Sequence, residues 1–177
     1  MNLLSPEEKQ KILQDRARQL ASAPAYQQDE HECIDITRFE LHGEHYAFES
    51  RYIREIVPVN HVTPLPCVPA FVAGIMNLRG RILSLLHLDR LLGLASAGQA
   101  PMQQVIILSN DSMEFGLLVE QIYGVAQLPL SKIQDELPTL SDQAQRYLRG
   151  LTPDRQILLD AQLLLNDPVL CVDEEIN

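Results

Sequence analysis

Cysteine is scarce: Cys33, Cys67 and Cys171 stand far apart and form no Cys-x-x-Cys pair. An odd, scattered set fits buried thiols in a reducing compartment better than a disulfide framework or a zinc site. Positive charge is short as well. Fourteen Lys and Arg face 24 Asp and Glu, a net charge of −10, and no basic run offsets that balance locally. Phosphate backbones and anionic membrane surfaces are repelled, so nucleic acid is excluded as a natural partner. Long apolar runs are missing too. The uncharged stretch from His61 to Leu78 carries Pro64, Pro66 and Pro69 and cannot form a membrane-spanning helix. The opening Met-Asn-Leu-Leu-Ser-Pro-Glu-Glu-Lys places charge where a signal peptide needs its apolar segment. A cytoplasmic location without membrane insertion is expected.

No catalytic constellation stands out. His42-x-x-His45, with His31 and Glu32 nearby, has the residue types of a metal site, but the spacing falls across a turn and matches no usual zinc signature. His87-Leu-Asp89 puts two titratable groups on one face of a strand, a pattern better read as a solvated strand end. Asn77-Leu-Arg-Gly-Arg81 lacks the Gly-x-x-x-x-Gly-Lys spacing of a phosphate loop. No Ser or Cys sits in a nucleophile elbow. Catalytic residues, metal and cofactor are all predicted to be none.

What the chain does contain is a duplication. The stretch Phe71-Val-Ala-Gly-Ile-Met-Asn-Leu-Arg-Gly-Arg-Ile-Leu-Ser-Leu-Leu-His-Leu-Asp-Arg-Leu-Leu92 has a weaker copy in Tyr147-Leu-Arg-Gly-Leu followed by Arg155-Gln-Ile-Leu-Leu-Asp-Ala-Gln-Leu-Leu-Leu165. Upstream of each lies a strand-turn-strand segment, Phe39 to Val57 and Val105 to Val125. Thr37, Phe39 and Leu41 alternate with Arg38 and Glu40, His42-Gly43-Glu44 turns, and Tyr46 and Phe48 resume the apolar face. A short helical turn is expected over Ala70 to Ala73, with Gly74 as its left-handed stop. Ile82 to Leu88 reads as a strand covered on both sides. Residues 131–146 read as partly helical around Pro138. At the front, Ser5-Pro6-Glu7-Glu8 caps a helix over residues 5–21, and an acidic linker follows to Asp35. Many short strands joined by Gly, Pro and Asn turns predict small closed barrels.

Ile53-Arg-Glu-Ile56, the proline-rich connection, Phe71-Val-Ala-Gly74, Asn77-Leu-Arg-Gly80 and Ile82 to Leu92 together resemble the CheW family of chemotaxis coupling proteins. Phe115-Gly-Leu-Leu-Val119 and Tyr147-Leu-Arg-Gly150 continue the resemblance in the family's order, over about residues 36 to 166. The resemblance implies a mainly β fold of two SH3-like five-stranded barrels around a shared apolar seam, with short helices. The domain plan is then an N-terminal helix and linker over 1–35 and a CheW-like domain over 36–177. Within it a first barrel takes roughly 36–100 and a second roughly 101–166, strands being open to exchange between them, and a C-terminal tail follows. It also implies an adaptor without activity, docking the cytoplasmic tip of a chemoreceptor and the regulatory domain of a CheA-like histidine kinase, with larger arrays possible. Two alternatives stay open: the same fold in a surface-sensing or pilus-motility pathway, or a metal- or small-ligand-binding regulatory module.

Glu55 and Arg79 each interrupt an apolar run where the family's motif has Glu and Arg, and are expected to pair near the receptor groove. Ile56, Val57, Val59 and Gly74 fall near the same surface under the resemblance. Val57, Val59, Phe71, Val72 and Ile75 are each either exposed for docking or part of the core, and for any one of them the core is the stronger expectation. Gly74, Gly80 and Gly150 are expected at structural turns, with positive φ or close backbone approach.

Overall fold

A computed structural model describes residues 10, 32–94, 100–135 and 139–170. The chain divides into two compact units, Met1–His31 and Glu32–Asn177. The helix expected over 5–21 lies outside the described residues save for Gln10, as do Pro138 and Cys171.

Among the described residues of the second unit ten strands form two sheets. One is built from β1 (Cys33–Leu41), β2 (Glu44–Glu49), β8 (Gln121–Pro129), β9 (Leu148–Leu151) and β10 (Ile157–Leu159), in the order β8-β1-β2-β10-β9. The other is built from β3 (Ile53–Pro58), β4 (Val72–Leu78), β5 (Arg81–His87), β6 (Gln104–Ser109) and β7 (Glu114–Val119), in the order β3-β6-β7-β5-β4. Replacing each strand of the first half by its counterpart five places later converts one order into the other. Each sheet thus joins a hairpin from one half of the duplication to three strands from the other half. β1 begins at Cys33, inside the segment read as linker from sequence.

Closure uses the same device twice. β3 and β4 are the outer strands of their sheet, and Thr63, just past β3, bridges to Ile75 on β4. β8 and β9 are the outer strands of the other, and Gln134, just past β8, bridges to Leu151 on β9. Both bridges cross beside a glycine. Gly74 has φ +141°, and a Cβ there would stand 2.2 Å from the Thr63 carbonyl oxygen. Gly150 has φ +156° and would meet the Gln134 oxygen at 2.8 Å. Contrary to the sequence expectation, Gly74 stops no helix and neither glycine forms a turn; both lie within strands where another backbone passes, the close approach that was the other expectation. No helical turn forms over Ala70–Ala73, because Val72 and Ala73 already belong to β4.

Three apolar clusters follow the strand alternation. One barrel interior holds Val57, Met76, Leu78, Leu83, Leu85, Val105, Ile107 and Leu118. The other holds Ile36, Ala47, Leu128 and Leu158. Between them runs a larger seam to which Phe39, Tyr46 and Phe48 contribute from one sheet and Leu86, Ile106 and Leu117 from the other. Phe39 stacks on Phe48 with ring centroids 5.2 Å apart. Three short α-helices among the described residues add side chains to this seam: α1 (Leu88–Leu91), α2 (Asp142–Gln145) and α3 (Ala161–Leu165). Ser141 caps α2 by accepting from the Ala144 amide, and Asp160 caps α3 by accepting from Gln162 and Leu163.

Candidate docking site

The charged residues singled out from sequence converge at one barrel end. β4 and β5 are joined by the two-residue turn Arg79-Gly80, with φ +53° and +84°, the left-handed pair that a tight hairpin requires. Asn77 fixes the turn by accepting the Gly80 amide at 2.9 Å. Arg79 thereby reaches Glu55 on β3, Nη1 to Oε2 at 3.1 Å. Arg81 stands 3.9 Å from the other Glu55 oxygen and 2.7 Å from Glu114. Arg54 closes the chain of charges on Glu114 at 2.5 Å. Three guanidinium groups against two carboxylates leave this end locally cationic on a strongly acidic chain. Arg79 is 74% exposed, so the Glu55 pair contributes ~0–1 kcal/mol to folding and mainly sets direction.

Apolar side chains flank this cluster. Ile56 is 40% exposed and shares the outward face of β3 with Arg54. Ile82, beside Arg81, is 65% exposed. Val59, Phe71 and Ile75 are half-buried, whereas Val57 and Val72 belong to the core, so these two pack rather than touch a partner. On the other sheet, the outer strand β8 exposes Tyr123 and Val125 on one face. Sequence reading passed over Ile82, Tyr123 and Val125. The available signal was an apolar residue on each face of a short strand, which a one-sided sheet does not need.

His42 and His45 face different partners, and His31 lies outside the described residues. His42 turns inward, its Nε2 3.1 Å from Asp89 Oδ2 and its Nδ1 3.7 Å from Glu120 Oε1, while its backbone amide donates to Glu120. His45 packs edge-on against Tyr123 instead. Among the described residues no group of three or more His, Cys, Asp or Glu is placed to hold a metal. Asp89 corrects the sequence expectation of a solvated strand end: it is buried, and its partner comes from a turn 47 residues away. Burial, reinforced by the Arg90 guanidinium, pushes the His87 imidazole below its ordinary range against the opposing pull of Asp89. Cys33 and Cys67 are exposed rather than buried. Among the described residues no helix is long and apolar enough to cross a membrane.

A CheW-like domain model matches residues 35–169. The chain belongs to the CheW-like domain family. Chemotaxis protein CheW of Thermotoga maritima is 29% identical over 143 residues, covering 81% of this chain and 89% of the relative. Protein PilI of Pseudomonas aeruginosa is 24% identical over 139 residues, 78% of each chain. The crystal structure of scaffolding protein TtCheW from Thermoanaerobacter tengcongensis superimposes with a TM-score of 0.62 at 24% identity, covering 72% of this chain and 88% of that one. That likeness makes the two CheW-like sheets SH3-like barrels. The curated relatives it matches include proteins named for chemotaxis as well as PilI.

Proposed function

We propose that this protein is a cytoplasmic, non-catalytic adaptor that couples chemoreceptors to a CheA-like histidine kinase. One observation carries the reading: two barrels locked by a buried seam present different outward faces. One face carries the Arg54, Glu55, Arg79, Arg81 and Glu114 cluster with Ile56 and Ile82. The other carries Tyr123 and Val125. Exposed apolar side chains rimmed by paired charges have the composition of a protein interface. A packed seam transmits a change of contact at one face to the other without chemistry, and such coupling amounts to ~1–3 kcal/mol.

The test is binding of the full-length chain to receptor cytoplasmic tips and to kinase regulatory domains, separately and together. Ile82→Glu is expected to leave folding within about 0.5 kcal/mol, as at other exposed sites, while weakening one partner at least tenfold. Loss of neither partner would remove the assignment of this face. A second reading is the same adaptor role in a pilus-motility or surface-sensing pathway, favoured by the likeness to PilI over 78% of both chains. Identifying the kinase that co-purifies from cell extract separates the two.

A further inference from the structure

The two barrels differ inside, and the difference has a chemical direction. Their registers correspond residue by residue: Thr37, Phe48 and Leu159 lie side by side in one sheet as Ile106, Leu117 and Leu86 do in the other. Both Leu159 and Leu86 stand two residues before a helix. Arg38 therefore occupies the place that Ile107 fills in the other barrel. Ile107 is fully buried among apolar neighbours. Arg38 shares its face of β1 with Ile36 and lines a cavity of about 250 Å³, together with Lys132, Thr152, Asp154 and Gln156.

One buried donor in this cavity is unpaired. Arg38 Nε is buried and has no hydrogen-bond partner. Thr152 is buried, and its hydroxyl oxygen accepts the Gln156 amide at 3.1 Å, which leaves its proton to donate. Among the described residues neither the Arg38 nor the Lys132 side chain has an ion-pair partner. Two cations face the single carboxylate of Asp154, so the lining is net positive on a chain of net charge −10. The strand neighbour of Arg38 is Gly124, where a Cβ would meet nothing within 4 Å. The corresponding neighbour of Ile107 is Glu55. This barrel thus holds a guanidinium where its twin holds an isoleucine, and open space where its twin holds a carboxylate.

We propose that the cavity beside Arg38 binds a carboxylate, small enough for 250 Å³, through the guanidinium of Arg38 with Lys132 and the Thr152 hydroxyl. The planar guanidinium fork matches a carboxylate at two points. A free small carboxylic acid and an acidic side chain of a docking protein carry the same chemistry. The site is independent of which receptor or kinase the adaptor serves.

The experiment follows the Arg38 Nε–Hε resonance of the full-length protein during titration with sodium acetate against sodium chloride at constant ionic strength. A second arm uses the peptide acetyl-Gly-Glu-Gly-amide. Saturable movement that acetate produces and chloride does not supports the site. Peptide binding at least tenfold tighter than acetate assigns the ligand to a protein side chain, and equal binding assigns it to a free acid. Lys132→Gln is expected to weaken the response severalfold. In Arg38→Ile, which copies the twin barrel, the Thr152 and Gln156 amide shifts should vanish while the fold is retained, read from an otherwise unchanged amide spectrum. No saturable movement in either arm, or undiminished amide shifts in Arg38→Ile, overturns the proposal.

Discussion

Adding one methyl group at Gly74 tests whether the barrel is closed as described. In Gly74→Ala the new Cβ would lie 2.2 Å from the Thr63 oxygen and 2.8 Å from its carbonyl carbon, both backbone atoms that cannot swing away. The bridge must open. That sacrifices the bonds from the Thr63 amide to the Ile75 oxygen (2.8 Å) and from the Ile75 amide to the Thr63 oxygen (2.9 Å). At ~1 kcal/mol each they account for about 2 kcal/mol. Holding alanine at φ +141° adds ~1–2 kcal/mol, so the loss comes to about 3–4 kcal/mol, a large share of an ordinary domain's stability. Gly80→Ala is the control. Its φ of +84° carries the same backbone cost, but its Cβ meets nothing within 4 Å, so only that ~1–2 kcal/mol is expected. Urea unfolding measures both, and hydrogen exchange at the Thr63 and Ile75 amides shows where the damage lies. If Gly74→Ala matches Gly80→Ala within error and those amides stay protected, the closure is wrong.

Three other outcomes are expected. In a double-mutant cycle on receptor-tip binding, Glu55→Ala and Arg79→Ala should be non-additive, while their coupling in urea unfolding stays below ~1 kcal/mol because Arg79 is exposed; additive binding effects would remove the pair's role. Arg149→Met should cost about 2 kcal/mol in urea unfolding, since it strips a 2.5 Å partner from the buried Glu49 and leaves only Arg51 at 2.7 Å; an unchanged midpoint would contradict that burial. Burial, with the hydrogen bond to Asp167, pushes the Tyr147 phenol up to about 12. The folded state keeps its proton where the unfolded chain, near 10, gives it up, so this contribution to stability is complete below pH 10 and is lost between 10 and 12. Absorbance titration of Tyr147→Phe should lack one late-ionising phenol.

Most of the strands were legible because the chain alternates wherever one face is buried. Thr37, Phe39 and Leu41 against Arg38 and Glu40 is such a case, and two-residue Gly turns punctuate it. The Glu55 and Arg79 meeting was expected from the resemblance, which has Glu and Arg at the two places where a charge interrupts an apolar run. Other features needed contacts far apart in sequence. Gly74 resembled a helix stop because a glycine after a short apolar run has no local mark of a passing backbone eleven residues away. Asp89 looked solvated because nothing near it in sequence foretells His42. Cys33 looked buried because its place at the first position of β1, opposite Pro129 of β8, is set by a pairing distant in sequence. Sequence periodicity tells which face of a strand is buried and is silent on which strand covers it.

The duplication explains stability more fully than it explains function. Two halves with the same strand order, the same closing bridge and the same glycine beside it have no need of different side chains to fold. Their differences therefore mark positions where something other than folding has been at work. Glu55 pairs with Arg79 and Arg81, whereas its counterpart Gly124 has no side chain to pair. Arg38 stands for Ile107. Asp89, in the second position of α1, is buried against His42, whereas Gln162, in the same position of α3, is exposed and meets Tyr52. Every one of these exchanges places a charge on one barrel and a neutral residue on the other. A scaffold that must tell two partners apart needs that inequality, because twin barrels with identical faces would offer each partner two equivalent places to bind.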